Sequence, residues 1–479
     1  MNTILKTFLA FLLLFGATTP SAAQSDFLKE VFDDRYPQTA KLARDIWELA
    51  EVGYLETNSS KLMQDHLRAE GFSIEAGVAG IPTAFVAEYG NGGPIIGILA
   101  EMDALPGINQ NSIPTRELIE GKGAGHACGH NLFAAGSIGA AIAVKKWLDE
   151  TGIPGTVRLY GTPAEEGGSG KVYMVRAGIF DDVDIAIHWH AGDRNAAGAN
   201  TTLANRSAKF RFYGVSAHAA AAPENARSAL DAVEAMNNMV NMMREHVPEK
   251  TRIHYVITSG GNAPNVVPDF AEVYYYLRHP SADKVIEMWD RIQAAADGAA
   301  LGTGTSVKTE IIHGNHAVVV NETLAREMDK NLRLVGGINY TPDELAFAEA
   351  IYPTLNNPRR EIPSASKIQP FSIGFGSGST DVADVSIAVP TVGLRTATWV
   401  PGTSAHSWQA VAASGMSIGF KGAHNASKTL ALTAIELFQN KDLRDKAKAE
   451  FLKTRGPNYV YKAVLGDRDP PLDYRVNKK

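Results

Sequence analysis

Pro94-Ile95-Ile96-Gly97-Ile98-Leu99-Ala100-Glu101-Met102-Asp103-Ala104-Leu105-Pro106 carries no polar side chain through Ala100 and then turns acidic. A strand with water on one face alternates apolar and polar residues. A run that is apolar throughout predicts a strand covered on both faces, as inside an α/β sheet. Polar residues at its C-terminal end stand where open α/β sheets place their ligands.

The surrounding chain extends this pattern in both directions. Upstream, Leu42, Ile46 and Leu49, then Leu62 and Leu67, recur at helical spacing and predict two helices between Tyr36 and Ala69, with Gly53 and Tyr54 between them. Strands are expected at Phe72–Ile74 and Thr83–Tyr89, and Asn91-Gly92-Gly93 is a hairpin signal leading into the apolar run. Downstream come an Ala-rich helix (134–148), a strand (157–160) ending in Pro163-Ala164-Glu165-Glu166-Gly167-Gly168, and a short helix (171–177). A strand, Ile185-Ala186-Ile187-His188-Trp189-His190, follows.

Near residue 206 the character changes. Strands at 208–214, 252–258, 271–278 and 307–313, with helices at 226–244 and 282–300, spell βαββαβ, a ferredoxin-like pattern. The expected organisation is a leader (1–23), a first catalytic segment (24–205), an inserted domain (206–315) and a second catalytic segment (316–479). The second segment holds a helix (324–334), a Pro/Ser-rich loop (351–370), a buried strand (391–394) and a closing helix (415–437). The tail from Leu465 carries no motif.

The length of 479 residues suits two domains, and 45% hydrophobic with 20% charged residues describes a globular chain. A net charge of −6 and the absence of a basic stripe exclude an electrostatic case for nucleic acid. Lys6, the apolar stretch Phe8–Ala17 and Ser21-Ala22-Ala23 read as a secretory signal, too short to span a membrane. Export to a periplasm or beyond is therefore expected, with no membrane attachment after cleavage. The single cysteine, Cys128, cannot form an internal disulfide.

That cysteine sits in Gly125-His126-Ala127-Cys128-Gly129-His130-Asn131. In an extended segment, residues i and i+2 share a face, so Cys128 and a histidine could grip one zinc-like ion. A buried free cysteine beside incidental histidines is the alternative. Glu165-Glu166 at a strand end divides naturally into a metal ligand (Glu166) and a general base (Glu165), against an exposed acidic turn. His188 and His190 repeat the i, i+2 spacing. His406 lies in a loop of small residues, where a histidine is usually just exposed. For His218, in Gly214-Val215-Ser216-Ala217-His218-Ala219-Ala220, a structural role is the default.

Met102-Asp103-Ala104-Leu105-Pro106, His126-Ala127-Cys128-Gly129-His130, Pro163–Gly168 and Ser216–Ala220 occur in that order. With Asn262–Pro268 and the late His406, they resemble the M20 metallopeptidase family in its amidohydrolase branch, over residues 36–440 or so. The resemblance implies an α/β, mixed-sheet catalytic domain that binds two divalent metal ions, zinc or manganese. Its ligands would be Cys128, His130, Glu166, His190 (His188 competing) and His406, with Glu165 as the general base and His126 supporting the loop. The insert would be a lid through which homodimers form, its His218 reaching a partner's site to hold an oxyanion. Asn265 and Arg278 would contact substrate.

The sequence departs from the wider family's His-x-Asp by placing Glu101 at the first position, and from many amidohydrolase members by Asn131. The implied activity is hydrolysis of the amide of an N-acyl or N-aroyl amino acid. A dipeptidase and a non-catalytic carboxylate-binding protein are the rivals.

Overall fold

In the computed structural model, which describes Val31, Phe32 and residues 35–476, the chain packs around two large hydrophobic clusters. The expected leader lies outside the described residues. Helices α1 (Tyr36–Leu49) and α2 (Thr57–Ala69) lead into strands β1 (Ser73–Ala76), β2 (Phe85–Asn91) and β3 (Ile95–Glu101). A small ladder, β4 (Leu105–Pro106) with β5 (Ala124–Gly125), precedes α3 (His130–Thr151), β6 (Gly155–Thr162) and α4 (Gly170–Arg176). Then follow β7 (Ile185–Ile187), β8 (His190–Gly192), β9 (Ala196–Gly198) and β10 (Asn200–Thr201).

The large sheet runs β1-β2-β6-β3-β7-β16-β8, where β16 is Thr391–Ala397, and β9 pairs with β16. β3 lies at its heart: Ile96, Ile98, Leu99 and Ala100 are all fully buried, as the unbroken apolar run requires. Asn91-Gly92-Gly93 does not close a hairpin. β6 inserts between β2 and β3, antiparallel to the first and parallel to the second. The parallel pairing needs a crossover, which α3 supplies, and this excludes direct β2–β3 pairing.

The run 185–190 is likewise not one strand. It breaks at His188-Trp189, because Trp189 is drawn fully into the core and donates its indole N–H to the Phe133 carbonyl at 3.1 Å. β7 pairs with β3 and β16, while β8 pairs with β16 alone.

Residues 204–315 form the second body: β11 (Ala204–Tyr213), α5 (Ala229–Met243), β12 (Arg252–Ser259), β13 (Phe270–His279), α6 (Ala282–Thr303) and β14 (Ser306–Asn315). The antiparallel order β12-β13-β11-β14 is ferredoxin-like, and Phe210, Val273, Met236 and Trp289 fill its core. The chain then returns to the first body through α7 (Glu322–Val335), α8 (Pro342–Ile351), β15 (Gly374–Phe375) and α9 (Val382–Ala388). After β16 come α10 (Trp408–Ser414), α11 (Ser417–Gln439) and α12 (Lys441–Arg455). Among the described residues no helix is long and apolar enough to cross a membrane.

His424 of α11 packs edge-on against Phe32 (5.6 Å) and Tyr36 (5.4 Å). Burial, reinforced by Lys428, lowers its imidazole to about 4. The folded state therefore refuses a proton that the unfolded chain accepts near pH 6.5, so stability falls as pH drops from 6.5 toward 4. His424→Leu is expected to remove about 2–3 kcal/mol of that acid sensitivity, measured by denaturant unfolding at both pH values.

Candidate metal centre and active site

Register brings the chemistry to one edge of the large sheet. Glu101, at the end of β3, is opposite Thr162 on β6, which opens directly into the Glu165-Glu166 turn. His190 on β8 is opposite Arg395 on β16, and the chain beyond β16 carries His406. Cys128 and Gly129 lead into α3, whose first residue is His130. Gly129 has φ +78°, and a Cβ there would collide with Ala191, so only glycine lets this loop approach β8.

Cys128 Sγ lies 3.4 Å from His190 Nε2. Donor atoms of Cys128, His130 and His190 lie within 4.8 Å of one another, and so do those of Cys128, Glu166 and His406. Cys128 belongs to both groups. His130, Glu165 and Glu166 form a third within the same limit.

Asp103 fixes the His130 ring: Nδ1 lies 3.0 Å from the Asp103 carbonyl and 3.0 Å from its Oδ1, which leaves Nε2 free to face the cluster. That Nε2, Glu166 Oε1 and Glu101 Oε2 are buried and make only ion-pair contacts, with one another or with His406. Nε2 lies 3.1 Å from Glu101 Oε2, and Glu166 Oε1 lies 3.5 Å from His406 Nε2. An unmet buried polar atom costs about 1–3 kcal/mol, so several converging on one point suit a bound cation. Thiolate, imidazole and carboxylate are a donor set that zinc-like ions accept.

His188 takes part in none of these groups, and its Nδ1 is buried and unpaired. Burial, then Lys171 and Arg395, lower its imidazole to about 3. Burial and the same Arg395 hold His190 well below the usual histidine range, keeping a lone pair available. Burial, then Glu101, Glu166 and Asp381, push the Glu165 carboxyl well above the usual range. His126 bonds the Ile46 carbonyl at 3.0 Å, while the Asn131 amide bonds Ala43 and Ser414 carbonyls at 2.9 and 3.0 Å. Both fasten the loop to its surroundings.

One feature of the site has no signature in local sequence. Lys171 Nζ lies 2.7 Å from Glu101 Oε1 and 2.7 Å from Asp381 Oδ1, with all three side chains at most 1% exposed. Burial disfavours the ammonium, but Asp381 and Glu101 outweigh it and keep Lys171 charged. A fixed internal cation thus stands behind Glu165 and offsets the carboxylates crowded there.

Cys128, Glu165, Glu166, His190, His406 and Arg278 line one cleft of about 1790 Å³. Arg278 reaches Ser379 Oγ at 3.4 Å, stacks over Tyr276, and has no ion-paired carboxylate among the described residues. His218 and Asn265 are exposed and lie outside the cleft. The Ala219 amide donates to the Asn265 carbonyl at 3.0 Å, and His218 Nδ1 accepts from the Ala220 and Ala221 amides. Within one chain, then, these two residues do not meet the metal cluster.

Residues 97–352 match the family model described as peptidase family M20/M25/M40. The chain belongs to that family. It is 39% identical over 454 residues to a p-aminobenzoyl-glutamate hydrolase polypeptide of Escherichia coli (strain K12), covering 88% of this chain and 94% of that relative. It is 30% identical to the Xaa-Arg dipeptidase of Mus musculus, covering 90% and 94%. A dinuclear metal-binding M20 peptidase from Bacillus subtilis shares the fold with TM-score 0.57 at 18% identity, over 85% of this chain and 99% of that structure. This M20 protein is a metal-dependent amidohydrolase of the peptidase type.

Proposed function

We propose that the protein hydrolyses the amide bond of N-acyl or N-aroyl amino acids, of the p-aminobenzoyl-glutamate kind, releasing a carboxylate and a free amino acid. The observation that carries this reading is the pair of donor groups sharing Cys128, set beside Glu165 in a cleft that also holds the Arg278 guanidinium. Cys128, His130, His190, Glu166 and His406 would hold two divalent ions, zinc or manganese. Such ions polarise an amide carbonyl and acidify water.

Glu165 takes the proton of the attacking water as its oxygen adds to the carbonyl carbon. The same carboxyl, which burial already biases toward holding a proton, then returns it to the leaving nitrogen. Asp103 keeps the His130 ring in place throughout. Arg278, with its planar fork, pairs with the carboxylate of the substrate's amino acid.

The arginine dipeptidase relative supports a second reading, a dipeptidase. Arg278 lines the cleft with no ion-paired carboxylate among the described residues, so a substrate carrying another cation would be repelled beside it. An acidic amino-acid half is therefore favoured. A panel of N-aroyl-glutamate, N-acyl-aspartate, N-acyl-arginine and Xaa-Arg dipeptides, assayed with Mn²⁺ or Zn²⁺, tests this. The expected order puts acidic acyl-amino acids first by about tenfold or more in kcat/KM. Faster cleavage of Xaa-Arg would reverse the assignment.

The reading includes a homodimer. β12 is an edge strand that exposes Tyr255, Val256 and Ile257 by 37%, 56% and 40%. An open apolar edge of this kind is a template for pairing with a second copy. Dimerisation there would let His218 and Asn265 serve the partner's cleft. Export is proposed on the leader sequence and the single cysteine.

A further inference from the structure

The turn that carries Glu165 and Glu166 is closed by the Gly168 amide on the Ala164 carbonyl at 3.0 Å, but its backbone angles depend on the surroundings. Ala164 and Ser169 sit in the left-handed region at φ +58° and +65°, and Gly167 at +88°. Non-glycine residues there cost of order 1 kcal/mol or more each, so the surroundings must fix the conformation. They do so group by group. The Ala164 amide donates to Glu56 Oε1 at 2.8 Å and the Glu166 amide to Asp103 Oδ2 at 2.9 Å. The Gly168 carbonyl accepts from the Tyr54 hydroxyl at 2.7 Å.

The Glu166 carbonyl accepts from the Tyr474 hydroxyl at 3.2 Å and from Arg475 Nη2 at 2.5 Å. Both donors belong to the motif-free tail, some three hundred residues later in the chain. The tail is tied down along its path from α12. Tyr461 donates to Asp384 Oδ1 at 2.7 Å, the Lys462 carbonyl meets His316 Nε2 at 2.8 Å, and the Gly466 carbonyl accepts from Arg176 at 2.9 Å.

Val464 and Leu465 are each 1% exposed, yet Val464 belongs to the core of the inserted domain and Leu465 to that of the catalytic domain. The tail therefore crosses the junction of the two bodies. Gly314 lets it pass, since a Cβ there would lie 2.6 Å from the Leu465 amide. At its far end Tyr474 meets Tyr54 edge-on at 5.6 Å, Arg475 stacks over Tyr474, and a side chain at Gly53 would collide with the Tyr474 hydroxyl.

We propose that residues 456–476 are a strap belonging to the active site, in which Tyr474 and Arg475 are positioning residues that hold the Glu165-Glu166 turn in its working conformation. The inference rests on the hydrolase reading for its kinetic readout, but its structural content is independent of the substrate. Without the strap the Glu166 carbonyl loses both its donors, and the strained turn relaxes toward ordinary backbone angles. Both carboxylates move with it. Displacements of about 1 Å at such a site cost roughly 10²-fold in rate.

The test compares wild type, Arg475→Ala, Arg475→Lys and a chain ending at residue 469, using the substrate that wild type cleaves best. Mn²⁺ binding is measured in parallel by equilibrium dialysis. Arg475→Ala is expected to lower kcat by roughly 10²-fold with KM within about twofold, and to weaken the looser Mn²⁺ by about tenfold. Methylguanidine should restore part of the rate, Arg475→Lys should fall between the two, and the thermal midpoint should move little. Wild-type kcat and Mn²⁺ affinity in Arg475→Ala would overturn the proposal. So would a loss that follows the fraction unfolded and ignores methylguanidine. If the shortened chain fails to fold, the point variants decide. A wild type silent on every substrate would instead overturn the hydrolase reading, leaving Mn²⁺ binding to judge the strap.

Discussion

Glu165→Gln is expected to lower kcat by about 10³-fold while the protein keeps its fold and its full complement of metal. Glutamine has nearly the shape of glutamate but cannot take a proton from water or return one to the leaving nitrogen. The structure indicates why folding should survive. Burial, with Glu101, Glu166 and Asp381 nearby, pushes Glu165 well above the usual carboxylate range, so the site already favours a neutral side chain and a neutral amide is tolerated there. The two donor sets that share Cys128 do not include it, and glutamine keeps a side-chain oxygen for the group it forms with His130 and Glu166, so metal should stay bound. Steady-state kinetics with elemental analysis of the purified variant checks both halves. An unchanged kcat would remove Glu165 from the base role; a loss of metal would make it a ligand.

His218→Ala is expected to cost about 10²-fold in kcat, the scale of one oxyanion donor. Taken alone that result would be hard to understand, because His218 is exposed and outside the cleft of its own chain. The proposed homodimer would supply the explanation, and mixing supplies the decisive experiment. Glu165→Gln dimers lack a base and His218→Ala dimers lack the reaching histidine, so each is nearly silent. After the protomers exchange, each mixed dimer holds one site with both groups intact. Activity should then rise to about one quarter of wild type, since half the dimers are mixed and half their sites complete. If exchange is shown by mass but activity stays flat, His218 does not act across the interface.

The order of elements was legible because it is written in local periodicity. The unbroken apolar run through Leu99 could only be a doubly covered strand, and the alternation beginning at residue 208 could only be a half-buried one. Donor spacing was legible for a similar reason. Cys128 and His130, or Glu165 and Glu166, are close in space because they are close in sequence. Where the pattern misled, a nonlocal demand overrode a local one. Asn91-Gly92-Gly93 has the composition of a hairpin, but β3 needed a parallel neighbour on that side and β6 took the place. His188 and His190 have the spacing of a shared face, but burying Trp189 broke the strand between them.

Residue order was therefore enough to read the α/β class and the βαββαβ unit, which depend on spacing within a few tens of residues, while the family followed from the resemblance of its ordered motifs. Only the folded chain shows that His190 and not His188 faces Cys128, that Lys171 joins Glu101 to Asp381, and that Tyr474 and Arg475 hold the Glu166 carbonyl. The physical reason is distance along the chain. Burying a lysine between two carboxylates, or straining a turn into the left-handed region, is stable only when distant segments supply the partners. Those partners are chosen by packing, which no local pattern records.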